Sequence, residues 1–346
     1  MKVEKLVIGV IGLGMGAHHL KGAINYGAEI GMICDVNPEK LKAVGEENNI
    51  PEDRRTTNYL DIVNNKEINA VLIATPDQQH REQVEACLAA GKHIMCEKPL
   101  ALTREDLVAM VDAVKAHPEC RFMIGQICRF TPAFIKAKEY IDSGAIGEIY
   151  FAESEYAHDY QHMFDHDPKN WRSDPIRNGV VGGGCHAVDL LRWAVDDLID
   201  EAFAYGTKKG LADWPIENDS YFCLYKFKNG VIGKVMCSIG LSRPYTMRSV
   251  FYGTKGTIIC DNLSPKMQLS SVPFYDSPKD WTDFVDIPVE VNNHNVESQV
   301  QLMADIILRG AENHADVVEG ARTVSACCAA IEAAKTGRPV KVRNDF

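Results

Sequence analysis

Residues 7–20 read VIGVIGLGMGAHHL. An apolar run, then glycines, then residues at helical spacing is the pattern of a strand that turns tightly into a helix. Gly12, Gly14 and Ala17 fall at that turn in a G-x-G-x-x-A arrangement. Gly12 permits the reversal, Gly14 lets backbone approach a pyrophosphate with no side chain in the way, and Ala17 lets the helix pack close to the strand. The helix N-terminus adds amide donors and positive partial charge. Such glycines also fit an ordinary turn, but here they have a companion. Asp35 ends the next apolar run, 21 residues beyond Gly14, the spacing of a carboxylate that accepts hydrogen bonds from adenosine ribose hydroxyls. Its charge repels a 2′-phosphate and no arginine stands beside it in CDVNPEK, so NAD is expected over NADP, held by Gly12, Gly14, Met15, Ala17 and Asp35.

Outward from this turn, the runs KLVIGVIG, EIGMICD, NAVLIATP, HIMCEKP and RFMIG alternate with amphipathic stretches as far as Gly125. That alternation predicts a parallel sheet with helices on both faces. Thr103 followed by Glu105 and Asp106 predicts a helix start, His117-Pro118 its end, and Gly91 the end of the preceding helix. After Phe130 the runs lengthen and alternate (EIYFAESEYAH, SYFCLYKF, VIGKVMCSIG), with a turn at Lys228-Asn229-Gly230, which predicts an antiparallel sheet. One helix, CHAVDLLRWAV, interrupts it, and two terminal helices near 297–309 and 317–336 are expected to cover or return from it. The expected fold class is α/β: an N-terminal Rossmann domain with a doubly wound parallel sheet over 1–127, and a C-terminal α/β domain with a large, mostly antiparallel open sheet over 128–346.

A chain of 346 residues is long enough for two cores. Its net charge of -11 argues against nucleic acid or an anionic membrane surface as partner and favours a small neutral substrate. No stretch reaches the roughly eighteen unbroken apolar residues of a membrane span. The start, MKVEKLVIGVIGLG, has the lysines and apolar run of a signal peptide but no small-residue cleavage site, and reads as the first strand. Eleven cysteines without a C-x-x-C pair read as small buried hydrophobes in a reducing cytoplasm rather than a disulfide framework or zinc site.

Two strings follow the fourth and fifth strands: ATPDQQH, with Thr75, Pro76 and His80, and MCEKP, with Glu97, Lys98 and Pro99. Ligands of open α/β sheets bind at the carboxyl ends of the strands, so topology points Lys98 toward the cofactor. With the glycine turn, the T-P-x-x-x-H and E-K-P segments, RFTP at Arg129 to Pro132, the HAVDLLRW helix from His186 to Trp193 and a terminal GRPVKV, the chain resembles the Gfo/Idh/MocA family along essentially its whole length. The resemblance implies an NAD-dependent oxidoreductase acting on a sugar or cyclitol hydroxyl, with Thr75, Pro76, His80, Glu97 and Lys98 at the cofactor and Lys98 and His186 as catalytic pair. It also implies a homo-oligomer, dimer or tetramer, whose open sheet face a partner covers. A neutral imidazole suits removal of the hydroxyl proton, and an ammonium suits holding the oxygen.

Many family members place an aspartate four residues before this histidine; here the position is Gly182. The run 182–186, GGGCH, reads as a shortened loop, and Asp189 is the nearest local acid, with a structural role for it equally open. In EYAHDYQHMFDHDPKNWRSDP, His158, His162 and His166 recur every fourth residue beside Asp159, Asp165 and Asp167. Pocket lining is preferred there to a metal site, and no metal is assigned. Tyr156, His158, Asn170, Trp171 and Arg172 are candidate sugar contacts together with Lys98 and His186: aromatic faces stack on C–H groups, and amide or guanidinium donors read hydroxyls. His294 is a weaker candidate. Two other classes stay open: a glycoside-cleaving enzyme that oxidises, eliminates and restores its NAD, and a non-catalytic NAD-binding regulator.

Overall fold

The structure, a computed structural model, describes residues 5–167, 169–174, 176–272 and 283–346. They gather into two compact units: one runs to Gln126 and takes back Asn295–Ala321, the other takes Ile127–His294 and Arg322–Asp345.

The first unit alternates strand and helix: β1 (Val7–Ile11), α1 (Met15–Tyr26), β2 (Glu29–Cys34), α2 (Pro38–Glu47), β3 (Arg55–Thr56), α3 (Tyr59–Asn64), β4 (Ala70–Ile73), α4 (His80–Ala89), β5 (His93–Glu97), α5 (Arg104–Ala116) and β6 (Phe122–Gly125). All strand pairs are parallel, in the order β3-β2-β1-β4-β5-β6. Residues of β4, β5 and β6 are buried throughout, as a sheet covered on both faces requires, which is why their sequences run apolar without alternation. The punctuation falls where expected: the Thr103 side chain accepts from the Asp106 amide at the start of α5, and Gly91 after α4 has φ +71°.

The second unit contains α6 (Pro132–Asp142), β7 (Ile149–Ala157), α7 (Gln161–His166), α8 (Cys185–Val195), β8 (Ile199–Thr207), β9 (Ser220–Phe227), β10 (Ile232–Ser238), β11 (Arg248–Gly253), β12 (Gly256–Asp261), β13 (Lys266–Ser271), β14 (Val285–Pro288) and β15 (Val340–Lys341). Its nine-stranded sheet has the order β14-β13-β12-β11-β7-β10-β9-β8-β15. Every pair is antiparallel except β7 with β10. In β9, Tyr221, Cys223, Tyr225 and Phe227 are buried while Phe222, Leu224 and Lys226 are exposed, the period-2 signature of a sheet covered on one face. The helices α6 and α8 supply the cover.

One expectation changes. Helix α9 (Val296–Arg309) packs not on the antiparallel sheet but on α1 of the first unit. Gly22 permits the approach: a Cβ there would stand 3.5 Å from the Glu297 Cα and 3.4 Å from a Val300 methyl. The final helix, α10 (Val317–Thr336), has its first residues, as far as Ala321, in that same unit. Ten of the eleven cysteines are buried and no disulfide joins any of them. Among the described residues no helix is long and apolar enough to cross a membrane.

Asp189 is the hub of a buried network in the second unit. Its carboxylate accepts from Arg129 Nε at 2.8 Å and Nη2 at 2.7 Å, and from Thr323 Oγ1 at 3.2 Å, which ties the turn before α6 to α8 and α10. Removing one partner of such a pair strands the other charge. Asp189→Ala is therefore expected to lower the unfolding free energy by about 3 to 5 kcal/mol in urea titrations, whereas Asp189→Leu combined with Arg129→Met recovers most of the loss; equal stability of the single variant and the native chain would remove the network from the account of this core.

Candidate active site

The turn after β1 is built as its sequence demands. Gly12 has φ +85°, and a Cβ there would meet the Ala74 carbonyl oxygen at 2.6 Å. Around Gly14 a Cβ would meet nothing within 4 Å, so this residue faces open space at the start of α1. That helix start has no side-chain cap and no acidic residue in its first turn, which suits it to an anion. The close packing against the strand belongs to Gly16 rather than Ala17: a Cβ at 16 would lie 3.1 Å from Val10 Cγ1, while Ala17 is half-buried. Met15 is half-buried as the first residue of α1.

Both oxygens of Asp35 are held by backbone amides. Its Oδ2 accepts from the Leu13 amide at 2.8 Å and its Oδ1 from the Asn37 amide at 2.9 Å. Lys40 Nζ, from the first turn of α2 and the last residue of CDVNPEK, stands 3.7 Å from Oδ2, so a cation does lie beside this carboxylate. These residues fit a dinucleotide with a free ribose hydroxyl: a glycine cradle, uncapped amides and a carboxylate, all at the carboxyl edge of one parallel sheet.

The loops after β4 and β5 reach that same edge. Thr75 Oγ1 donates to Gln83 Oε1 at 2.7 Å, and Pro76 opens a short helical turn. His80 is fully buried, with Nδ1 2.9 Å from the Pro99 carbonyl and Nε2 3.2 Å from that of Thr75. It clamps the two loops together, its two ring nitrogens lying against the backbone carbonyls of Pro99 and Thr75. Glu97 is buried against His19, whose Nε2 lies 2.7 Å from Oε1, and its Oε2 accepts from the Lys98 amide at 3.1 Å. Burial alone would raise this carboxyl; the His19 hydrogen bond, with the charges of His19 and Lys98, outweighs it and holds the group below the ordinary carboxylate range. Lys98 itself is half-buried. The His19 signal was present in GAHHL, but nothing in its spacing names a partner 78 residues away.

In the second unit, the run 182–186 is not a shortened loop. Val180–Gly184 forms a π-helical turn continuous with α8, a local widening that often accompanies functional sites. The place of a side chain at 182 is filled by Arg177, whose guanidinium carbon would lie 2.3 Å from a Cβ there and whose Nη2 donates to the Gly182 carbonyl at 3.1 Å. His186, 4% exposed, has Nδ1 3.2 Å from Cys128 Sγ and stacks on Tyr156 with ring centroids 6.0 Å apart. Asp189, the acid nearest in sequence, is engaged by Arg129 and Thr323. The sequence reading missed Cys128, Arg177 and Tyr245.

Tyr156 is buried, its hydroxyl 3.0 Å from His158 Nδ1 and 3.1 Å from Tyr160 Oη, and burial pushes that hydroxyl's pKa well up. His158 packs between Tyr160 and Tyr245, at 4.8 and 4.7 Å between centroids. Asn170 Oδ1 caps a short turn at the Arg172 amide, and both Arg172 and Arg177 lie over the Trp171 ring, at 4.3 and 4.8 Å. His294 is exposed, 5.8 Å from the Tyr245 ring. The fourfold spacing of histidines does not align: His158 follows β7, whereas His162 lies exposed on α7, and the side chain of His166 lies outside the described residues. Asp159 and Asp167 cap the backbone of Gln161 and Lys169, and Asp165 accepts from Gln161. Among the described residues no three His, Cys, Asp or Glu side chains gather as a metal site.

Because the folded-state pKa of Glu97 is depressed, its contribution is present above the unfolded carboxyl pKa, about 4.3, and is lost as pH falls through the folded value. Glu97→Gln is expected to be less stable than the native chain by roughly 1 to 3 kcal/mol at pH 7, with the gap closing in urea titrations taken below about pH 4; a gap independent of pH would contradict an ionised Glu97.

Comparison with known proteins places this geometry. Residues 6–126 match the oxidoreductase family with NAD-binding Rossmann fold, and residues 134–259 match the GFO/IDH/MocA C-terminal domain. The chain is 30% identical over 273 residues to the myo-inositol 2-dehydrogenase of Thermotoga maritima, covering 74% of this chain and 75% of that one. It is 29% identical over 262 residues to the inositol 2-dehydrogenase of Acidothermus cellulolyticus, covering 75% and 73%. Among solved structures, levoglucosan dehydrogenase in complex with NADH and L-sorbose superposes with a TM-score of 0.86 at 25% identity, over 99% of this chain and 100% of that one. With a dinucleotide cradle in one unit, a one-sided antiparallel sheet in the other and both halves matched, the chain belongs to the Gfo/Idh/MocA family of NAD-dependent oxidoreductases.

Proposed function

We propose that this enzyme oxidises a secondary hydroxyl of a sugar, sugar acid or inositol to the ketone, or runs the reverse reduction, with Lys98 and His186 acting on the hydroxyl. NAD, when bound, takes up the hydride. The observation that carries the reading is the position of Lys98: it follows β5 at the sheet edge that also holds the Gly12–Gly14 turn and Asp35, and its amide is fixed by Glu97. The substrate class draws support from the inositol and levoglucosan dehydrogenases to which the chain is similar.

In this reading His186 takes the hydroxyl proton as a neutral imidazole, and the Lys98 ammonium holds the oxygen and offsets the negative charge that develops on it. Trp171 and Arg172 present a ring and a guanidinium to the polyol. Asn170 uses its carbonyl as a cap, so its amide donors are the groups that read hydroxyls. His158 and the Tyr156 hydroxyl form a hydrogen-bonded pair.

A second copy of the chain is the occupant we assign to the open sheet face. There Tyr205, Phe222 and Met236 share one cross-strand row, and Phe203, Leu224 and Lys234 the next. Tyr205 is 72% exposed and Phe222 50%, more aromatic surface than a monomer ordinarily shows. Glu153, Glu155, Lys226 and Lys234 give the face both signs of charge, as a surface meeting its own copy requires.

Two measurements test this account. Absorbance at the NADH band, screened over sugars, cyclitols and sugar acids with NAD and NADP, is expected to show NAD-dependent turnover. Lys98→Met is expected to lose at least about a hundredfold in kcat while NADH still titrates normally by fluorescence; native turnover in that variant removes Lys98 from the chemistry. For the oligomer, Phe222→Glu with Leu224→Lys is expected to shift light-scattering mass from dimer or tetramer to monomer, and a native chain that is already monomeric refutes the assignment of the sheet face.

A further inference from the structure

The carboxylate that follows β2 is fixed, and the cation beside it is not. Asn37 and Pro38 start α2: Asn37 Oδ1 accepts from the amides of Glu39 and Lys40, and a proline at the first helical position sets the backbone there. Side chains in a first helical turn lean back toward the N-terminus. Lys40 is thereby directed at the end of β2, where its Nζ stands 3.7 Å from Asp35 Oδ2. Asp35 is 8% exposed, with Oδ2 held by the Leu13 amide at 2.8 Å and Oδ1 by the Asn37 amide at 2.9 Å. Lys40 is 45% exposed and swivels on a four-carbon stem. Around it in the same segment, Val36 is an exposed apolar residue and Glu39, the acid of the turn, is exposed.

A fixed anion beside a swivelling cation makes discrimination between two dinucleotides a difference of two terms. A 2′-phosphate carries about two negative charges, so Asp35 repels it while Lys40 attracts it. The neutral hydroxyls of an unphosphorylated ribose need only the carboxylate as acceptor. A lysine ammonium binds phosphate as a point charge, and at this exposure its attraction is screened by salt. The two amides hold Asp35 whether or not Lys40 is charged. We propose that Lys40 is a specificity-determining residue for the cofactor: its ammonium offsets the Asp35 charge toward a 2′-phosphate, so that the chain binds NADP as a second, weaker dinucleotide beside NAD. This rests on the reading of Asp35 as the residue that meets the adenosine ribose, and it replaces the exclusion of NADP expected from the missing arginine with a graded preference.

Fluorescence titration of the full-length protein with NADH and with NADPH reads this preference without any substrate. The native chain is expected to bind both, NADH more tightly. Lys40→Met is expected to weaken NADPH by about tenfold and to leave NADH within about threefold of native, with Lys40→Arg close to native for both. Added salt is expected to weaken NADPH more in the native chain than in Lys40→Met. No NADPH binding by the native chain, an unchanged ratio of the two affinities in Lys40→Met, or an equal loss of NADH and NADPH in that variant overturns the proposal. Asp35→Asn, which keeps an acceptor for the Leu13 amide, is expected to weaken NADH and strengthen NADPH. Native affinity for both dinucleotides in Asp35→Asn would instead overturn the reading of Asp35 at the ribose, and the ratio in Lys40→Met would still decide the role of the cation.

Discussion

The amide of Leu13 donates to the Asp35 carboxylate across 2.8 Å, and this bond ties the turn that follows β1 to the residue that follows β2. Without it the glycine turn and the Asp35 carboxylate would be two separate loop features. With it they form one rigid edge, further held by the Gly12 amide on the Cys34 carbonyl at 2.8 Å. Because all strands of this sheet run the same way, the loops bearing Thr75 and Lys98 emerge at that edge too. The buried His80 and the Glu97–His19 pair then fix those loops from beneath.

The second unit solves a different problem by different means. Its candidate residues are oriented by side chains more than by backbone: imidazole against thiol, tyrosine against imidazole, guanidinium over indole. Such packing is possible because α8 begins with a wide π-helical turn of small residues. Gly183 lies so close to the Tyr156 ring that a Cβ would fall 2.3 Å from it. A bulkier run would push α8 off β7 and separate His186 from its neighbours.

Legibility in the sequence followed the range of the interaction. The glycine turn, the cap at Thr103 and the hairpin at Gly230 are set by residues within a few positions of each other, and they stand where the sequence put them. The alternation of Tyr221 to Phe227 announced a one-sided sheet, and the unbroken run at Ala70–Ile73 a sheet covered on both faces. The apolar stripe of α9 announced a helix but gave no address for it. An amphipathic face is complementary to any apolar surface, and only the close approach allowed by Gly22 selects α1.

What the sequence by itself determined is therefore the backbone: the order of strand and helix, the tight turn at Gly12 and Gly14, and the placement of Asp35 and Lys98 at the ends of parallel strands. Local propensity and periodicity encode these directly. Only the tertiary structure decided which side chains meet. Cys128 and His186 are 58 residues apart, Cys128 and Met247 119 apart, and Arg129 and Asp189 60 apart. Nothing in a residue's own neighbourhood marks such a partner, because the contact exists only after independent elements have buried their apolar faces against one another.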